Sequence, residues 1–171
     1  TLVSAYTGLF ALTGESDRPP VRLGVAAIDM STGMLAYSGV VSALLARERG
    51  AGGQRVDASL LESGVTLLGY HGVAWTAGKV QVEREGAGFS TISPYGVYRA
   101  RDGEILIGAP SQPMWLKVCD VLEAPELASD PRYASNEDRC RHDDDLRNDL
   151  EARLAAKDID IWLTLFEAAG V

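Results

Sequence analysis

The chain has 171 residues, 46% apolar and 23% charged, which is enough to bury a core in one or two domains and too apolar for a disordered segment. Sixteen Lys and Arg against 24 Asp and Glu leave a net charge of −8, which disfavours an electrostatic grip on nucleic acid or an anionic membrane. Cys119 and Cys140 have no second thiol or spaced histidine nearby, so no disulfide framework and no metal site is expected, and a reducing cytoplasm is the simplest compartment.

In chain order, Thr1 to Leu12 reads as the end of an apolar helix, and Thr13-Gly14-Glu15-Ser16-Asp17-Arg18-Pro19-Pro20 as an exposed loop of turn formers. Val21 to Ile28 is strand-like and expected to re-enter the core. From Ser31 to Arg49 the spacing of Met34, Tyr37, Val41, Leu44 and Leu45 predicts a helix ended by Gly50. Its other face carries Gly33, Ala36, Gly39, Ala43 and Ala46, small residues that suit close approach of another backbone, so this helix is expected to be buried on several sides. Its uncharged stretch, Met30 to Ala46, is diluted by Ser, Thr and Gly and reads as a core helix, not a membrane span.

Gln54 to Ala58 is a strand candidate, and Ser59-Leu60-Leu61-Glu62 matches a capping box opening a helix toward Trp75. Residues 1–78 form the first expected domain, 79–92 a linker and 93–171 a second unit. In that unit, residues 94–99 and 104–108 flank Arg101-Asp102-Gly103 as a hairpin with a tight Asp-Gly turn, and helices follow over about 113–122, 142–155 and 159–169. Charge divides unevenly along the chain. Residues 1–101 hold 9 basic and 8 acidic side chains, whereas residues 102–171 hold 7 and 16, so the two parts are expected to face different surroundings. The opening on Thr1 within an apolar run and the ending at Gly170-Val171 read as the ends of an internal piece of a longer protein.

Asp29 is the main candidate for chemistry. Between an apolar segment and the Ser31-Thr32-Gly33 stretch, an aspartate commonly caps a helix by accepting hydrogen bonds from free first-turn amides. The same position at the positive end of a helix dipole also suits a carboxylate nucleophile. Cys119, among Trp115, Leu116, Val118, Val121 and Leu122, reads as a small buried apolar side chain. Cys140, between Arg139 and Arg141, reads as a surface thiol without a base or orienting partner. His142-Asp143-Asp144-Asp145 reads as solvated acids complementing a helix dipole, and His71 as a satisfied core histidine. Gly50-Ala51-Gly52-Gly53 and Gly86-Ala87-Gly88 lack both the P-loop ending and the dinucleotide fingerprint, and there is no Gly-x-Ser-x-Gly elbow.

A run of collinear motifs resembles the family III CoA-transferases. They are Leu12-Thr13-Gly14-Glu15, Pro20-Val21-Arg22-Leu23-Gly24-Val25, Ile28-Asp29-Met30-Ser31-Thr32-Gly33 and Ala43-Leu44-Leu45-Ala46-Arg47-Glu48-Arg49, followed by the stretch from Gly53 to Glu62. Ser93-Pro94-Tyr95-Gly96-Val97-Tyr98, Asp102-Gly103 and Ala128-Ser129-Asp130-Pro131-Arg132-Tyr133 continue the series. The resemblance implies an α/β fold: part of a Rossmann-like large domain, followed by a smaller α+β domain, in a homodimer of interlocked chains. It implies that Asp29 attacks an acyl-CoA thioester, giving a mixed anhydride and then an aspartyl-CoA thioester from which CoA passes to a carboxylic acid. Coenzyme A is then a substrate, with no permanently bound cofactor. Gly86 and Gly88 fall where formyl-CoA transferases carry a longer glycine run over the site, and are candidates for a substrate loop. Two other readings stay open: an α-methylacyl-CoA racemase, whose histidine would precede Thr1, and a silent scaffold keeping the fold. The piece alone is expected to be inactive.

Overall fold

A computed structural model describes all residues from Thr1 to Val171. The chain divides into two units, Thr1–Gly86 and Ala87–Val171.

In the first unit the opening helix is shorter than the sequence predicts. Helix α1 (Leu2–Tyr6) ends before Gly8, whose φ of +87° turns the chain into a separate 3-10 turn over Leu9–Leu12. The chain from Thr13 to Ala26 is irregular, and Val21 to Val25 are exposed. The expected strand over Val21 to Ile28 therefore does not form; Ile28, buried, is already helical.

Helix α2 spans Ala27–Ala46, beginning ahead of the expected Ser31, and runs into a wide turn over Arg47–Ala51 where Gly50 takes φ +92° and ends it. Its predicted burial is a correction. Ile28 is its one buried residue, while Met34, Tyr37, Val41, Leu44 and Leu45 are exposed within this chain. The small face is partly covered: Gly33 is exposed, whereas Ala36, Gly39, Ala43 and Ala46 are half-buried, with Val56 Cγ1 at 2.7 Å from the would-be Cβ of Gly39. By length and composition Ala27–Ala51 could cross a membrane, a test that core helices of soluble proteins also pass.

Gln54 to Ala58 is irregular instead of a strand. Helix α3 (Leu60–Thr66) opens on the predicted capping box: Ser59 Oγ accepts the Glu62 N–H at 3.1 Å and donates to Glu62 Oε2 at 2.9 Å. The expected single helix toward Trp75 breaks at Gly69, whose φ of +54° suits glycine, and resumes as α4 (Tyr70–Thr76). No strand lies in this unit, so the Rossmann-like expectation finds no sheet here; a sheet needs paired strands, and this unit supplies helices and irregular chain.

The second unit contains the sheet. Strands β1 (Tyr95–Arg99) and β2 (Glu104–Gly108) pair antiparallel in the register Arg99↔Glu104, and Tyr98, Ile105 and Ile107 are buried. The connection is wider than a two-residue Asp-Gly turn, closing with the Ala100 N–H on the Gly103 carbonyl at 2.8 Å. Asp102 instead accepts the Ile159 N–H at 2.9 Å.

Helices α5 (Gln112–Val121), α8 (Asp143–Leu154) and α9 (Ile159–Ala169) fall where the sequence predicts, and the short helices α6 (Pro125–Ser129) and α7 (Asn136–Arg141) are additional. Leu146, Leu150 and Leu154 recur every fourth residue as one buried stripe of α8, packed in a core with Trp115, Val118, Tyr133, Trp162 and Phe166. The Trp162 indole donates to the Leu154 carbonyl at 2.8 Å.

Candidate functional site

Asp29 is the third residue of α2, in its first turn. The capping expectation needs correction in detail, because the cap position is Ala26 and Asp29 makes no cap hydrogen bond. Its carboxylate is exposed beside the free amides of the first turn, where the helix dipole favours an anion.

What fixes this turn is its neighbour. Ile28 is buried where α1 and α3 meet, and a Cβ on Gly64 would stand 2.8 Å from Thr7 Cγ2 and 3.4 Å from Ile28 Cδ1. Gly64 thus permits an approach that any side chain would obstruct. The Ser31 and Thr32 hydroxyls both donate back to the Ile28 carbonyl, at 3.0 and 2.7 Å, so they reinforce the turn and are already occupied there.

The first residues of α1, α2 and α3 converge around a cavity of about 340 Å³. Its walls are Thr1 to Ser4, Arg22, Leu23, Val25 to Asp29, and Leu60 from the capping-box helix. Among the lining side chains only Arg22 and Asp29 are charged. In the sequence Arg22 stands out only as one residue of the Pro20–Val25 motif. A lone basic residue in an irregular stretch carries no periodic or spacing signal, and only the fold brings it to Asp29's cavity.

The other candidates are placed elsewhere. Gly86 takes φ +58°, its N–H donates to the Gly14 carbonyl at 3.1 Å, and a side chain there would collide with the Glu15 carboxylate. Arg84 tightens the same contact by donating to the Glu15, Ser16 and Arg18 carbonyls. Gly86 is not a wall of the Asp29 cavity, and Gly88 belongs to the second unit, near Gly96. His71 is half-buried, not in a core: its ring lies 4.1 Å from that of Tyr70, tilted by 44°, and it borders a second, apolar cavity of about 580 Å³ with Leu68, Val73 and Trp75.

Cys119 is buried, and burial pushes its thiol up to about 12, consistent with an inert packing role. Cys140 is half-buried, and its thiol too is raised, because desolvation and Asp143 outweigh Arg139. Asp143, Asp144 and Asp145 lie in the first turn of α8.

The whole chain, residues 1–171, matches the family model described as CoA-transferase family III. The chain belongs to this family. It is 39% identical over 170 residues to an acyl-CoA transferase of Fusarium pseudograminearum, covering 99% of this chain and 37% of that protein. It is 36% identical to the succinyl-CoA:glutarate CoA-transferase of Mus musculus, covering 99% of this chain and 39% of the mouse protein. A crystal structure of a CaiB/BaiF family protein from Brucella suis superposes with a TM-score of 0.80 at 30% identity, covering 99% of this chain and 45% of that one. The chain spans about two fifths of the length of the curated relatives it matches. Both of these relatives are named as transferases, and neither supports the racemase reading.

Proposed function

We propose that the whole protein transfers CoA from an acyl-CoA thioester to a carboxylic acid, with Asp29 as the nucleophile. The observation that carries this reading is the placing of Asp29: an exposed carboxylate in the first turn of α2, held by buried Ile28 and facing a cavity large enough for a small acid. The succinyl and glutarate groups in the mouse relative's name support small dicarboxylic acids as the substrate class.

In this reading a carboxylate oxygen of Asp29 attacks the thioester carbonyl carbon, the C–S bond breaks and CoA leaves as thiolate, producing a mixed anhydride. The thiolate then attacks the Asp29 carbonyl carbon, releasing the donor acid and leaving an aspartyl-CoA thioester. The acceptor carboxylate displaces CoA to form a second anhydride. Return of the thiolate to the acceptor carbonyl gives the new acyl-CoA and restores Asp29. A carboxylate is a modest nucleophile, so its fixed position matters more than its basicity, and each anhydride must be kept from water. The resemblance to the family further supports a homodimer in which substrate contacts extend beyond this chain.

Turnover of the full-length protein with acyl-CoA and hydroxylamine is expected to leave a hydroxamate on Asp29, mapped by peptide mass spectrometry. Asp29→Ala is expected to lower kcat by at least about a thousandfold. Full transferase activity in that variant, or substrate consumption without an adduct at Asp29, overturns the reading.

A further inference from the structure

The proposed chemistry uses one of the two charged side chains in the Asp29 cavity and leaves the other without a task. Arg22 lines the same space from the irregular chain ahead of α2 and is exposed. No ion pair or hydrogen bond within the chain engages it. Arg84 of this unit donates to three carbonyls and Arg55 pairs with Asp57 at 2.7 Å, and of the arginines left unengaged Arg22 is the one that lines the Asp29 cavity.

We propose that Arg22 is a specificity residue that receives the distal carboxylate of a dicarboxylic substrate while its reacting carboxyl group stands at Asp29. This rests on the reading of Asp29 as nucleophile and assigns the second end of the substrate. A guanidinium presents a planar fork of donors that matches a carboxylate in two parallel hydrogen bonds. Leu2, Leu23, Val25 and Leu60 supply apolar wall in the same cavity, suited to a short methylene chain. An acid with a methyl group in place of the distal carboxylate would leave Arg22 without an anion, so the discrimination comes from the unpaired partner.

The size of the cavity suits the smaller of the two anions that an acyl-CoA reaction offers, the carboxylate of the acyl part. A space of about 340 Å³ has room for a small diacid. Arg22, lining a cavity of that size together with Asp29, is matched to the acyl part of the substrate.

The test uses the full-length enzyme with glutarate and pentanoate, acceptors of equal chain length. Arg22→Gln is expected to lower the ratio of kcat/KM for glutarate over pentanoate by roughly tenfold or more, mostly through the KM for glutarate, and Arg22→Lys to recover part of it. An unchanged ratio in Arg22→Gln, or an equal loss with both acids, overturns the assignment. So does a rise in donor KM for acyl-CoA that is absent with acyl-pantetheine, which would put a phosphate at Arg22. Hydroxylamine trapping reads the nucleophile separately: a labelled Asp29 with unchanged acid preference removes the role of Arg22 alone, whereas no label in the unaltered enzyme removes the reading beneath it.

Discussion

Arg139 is fully buried, leaves its Nη2 without a hydrogen-bond partner and forms no ion pair. Its guanidinium instead donates to the Ser93 carbonyl at 2.6 Å, the Tyr133 carbonyl at 3.1 Å and Gln112 Oε1 at 2.8 Å, and lies over the Trp115 ring at 5.2 Å. One side chain thereby ties the entry to β1, the turn at Tyr133 and the start of α5. A lysine has no planar fork and cannot meet these directions together. Arg139→Ala is expected to destabilise the intact protein by about 2–4 kcal/mol, since the Ser93 and Tyr133 carbonyls stay buried without this donor. Arg141→Ala next door removes only exposed pairing with Glu137 and Asp138 and is expected to cost under about 1 kcal/mol. Urea unfolding followed by tryptophan fluorescence checks both, and equal effects would contradict the argument. Nothing in the local sequence announced this role: Cys140 between Arg139 and Arg141 reads as a surface thiol, and the partners of Arg139 include Ser93 and Gln112, residues distant in sequence. Asp29 was legible as a helix-start aspartate, but its chemistry only through the collinear family motifs.

Elements governed by local rules were read correctly, and those governed by distant neighbours were not. The capping box at Ser59, the hairpin and helices α5, α8 and α9 follow from caps, alternation and spacing within each segment. The strand-like stretches at Val21–Ile28 and Gln54–Ala58 have suitable residues but no partner strand in this chain, and a strand exists only by pairing. The junction between hairpin and α9 shows how elements are pinned by polar contacts. Arg101 pairs with Asp158, the residue preceding α9, at 2.6 Å, while Asp102 accepts the Ile159 N–H. The hydrogen bond from Arg101 and its charge hold the Asp158 carboxyl below the usual carboxylate range. A depressed folded-state value means that this contact contributes its full stability above the ordinary aspartate pKa of about 4 and loses it as pH falls through the lower folded value. An NMR titration of the Asp158 carboxyl should therefore show a midpoint below that of an unpaired aspartate, and Arg101→Ala should move it upward. A midpoint that ignores Arg101 would show the pair to be inconsequential.

At the scale of the molecule, the two units differ in how well each covers itself. The second unit encloses Trp115, Tyr133, Trp162 and Phe166 in a continuous core, but in the first unit α2 leaves Met30, Met34, Leu35, Tyr37, Val40, Val41, Leu44 and Leu45 open. A helix that is apolar around most of its circumference persists in water only where other surfaces cover it. The chain spans about two fifths of its curated relatives, so the intact protein is expected to bury α2. Hydrogen exchange of the intact protein should then show the Met34–Leu45 amides among the slowest to exchange. The 171-residue chain alone should bind a hydrophobic dye, self-associate at micromolar concentration, and show no measurable CoA binding by calorimetry, because the Asp29 cavity without the surrounding contacts of the intact protein gives little affinity. Rapid exchange along α2 in the intact protein, or micromolar CoA affinity in the isolated chain, would show that the first unit is complete as it stands. The position of Ile28 makes this more than a matter of solubility. Asp29 is fixed by one buried neighbour at the start of a helix whose large apolar residues are exposed within this chain, so loss of the cover over α2 should loosen Asp29, the proposed nucleophile, as well. Exchange at α2 and hydroxamate yield at Asp29 should therefore fall out of the native range together when that cover is weakened by substituting Leu44 or Leu45 with Asp.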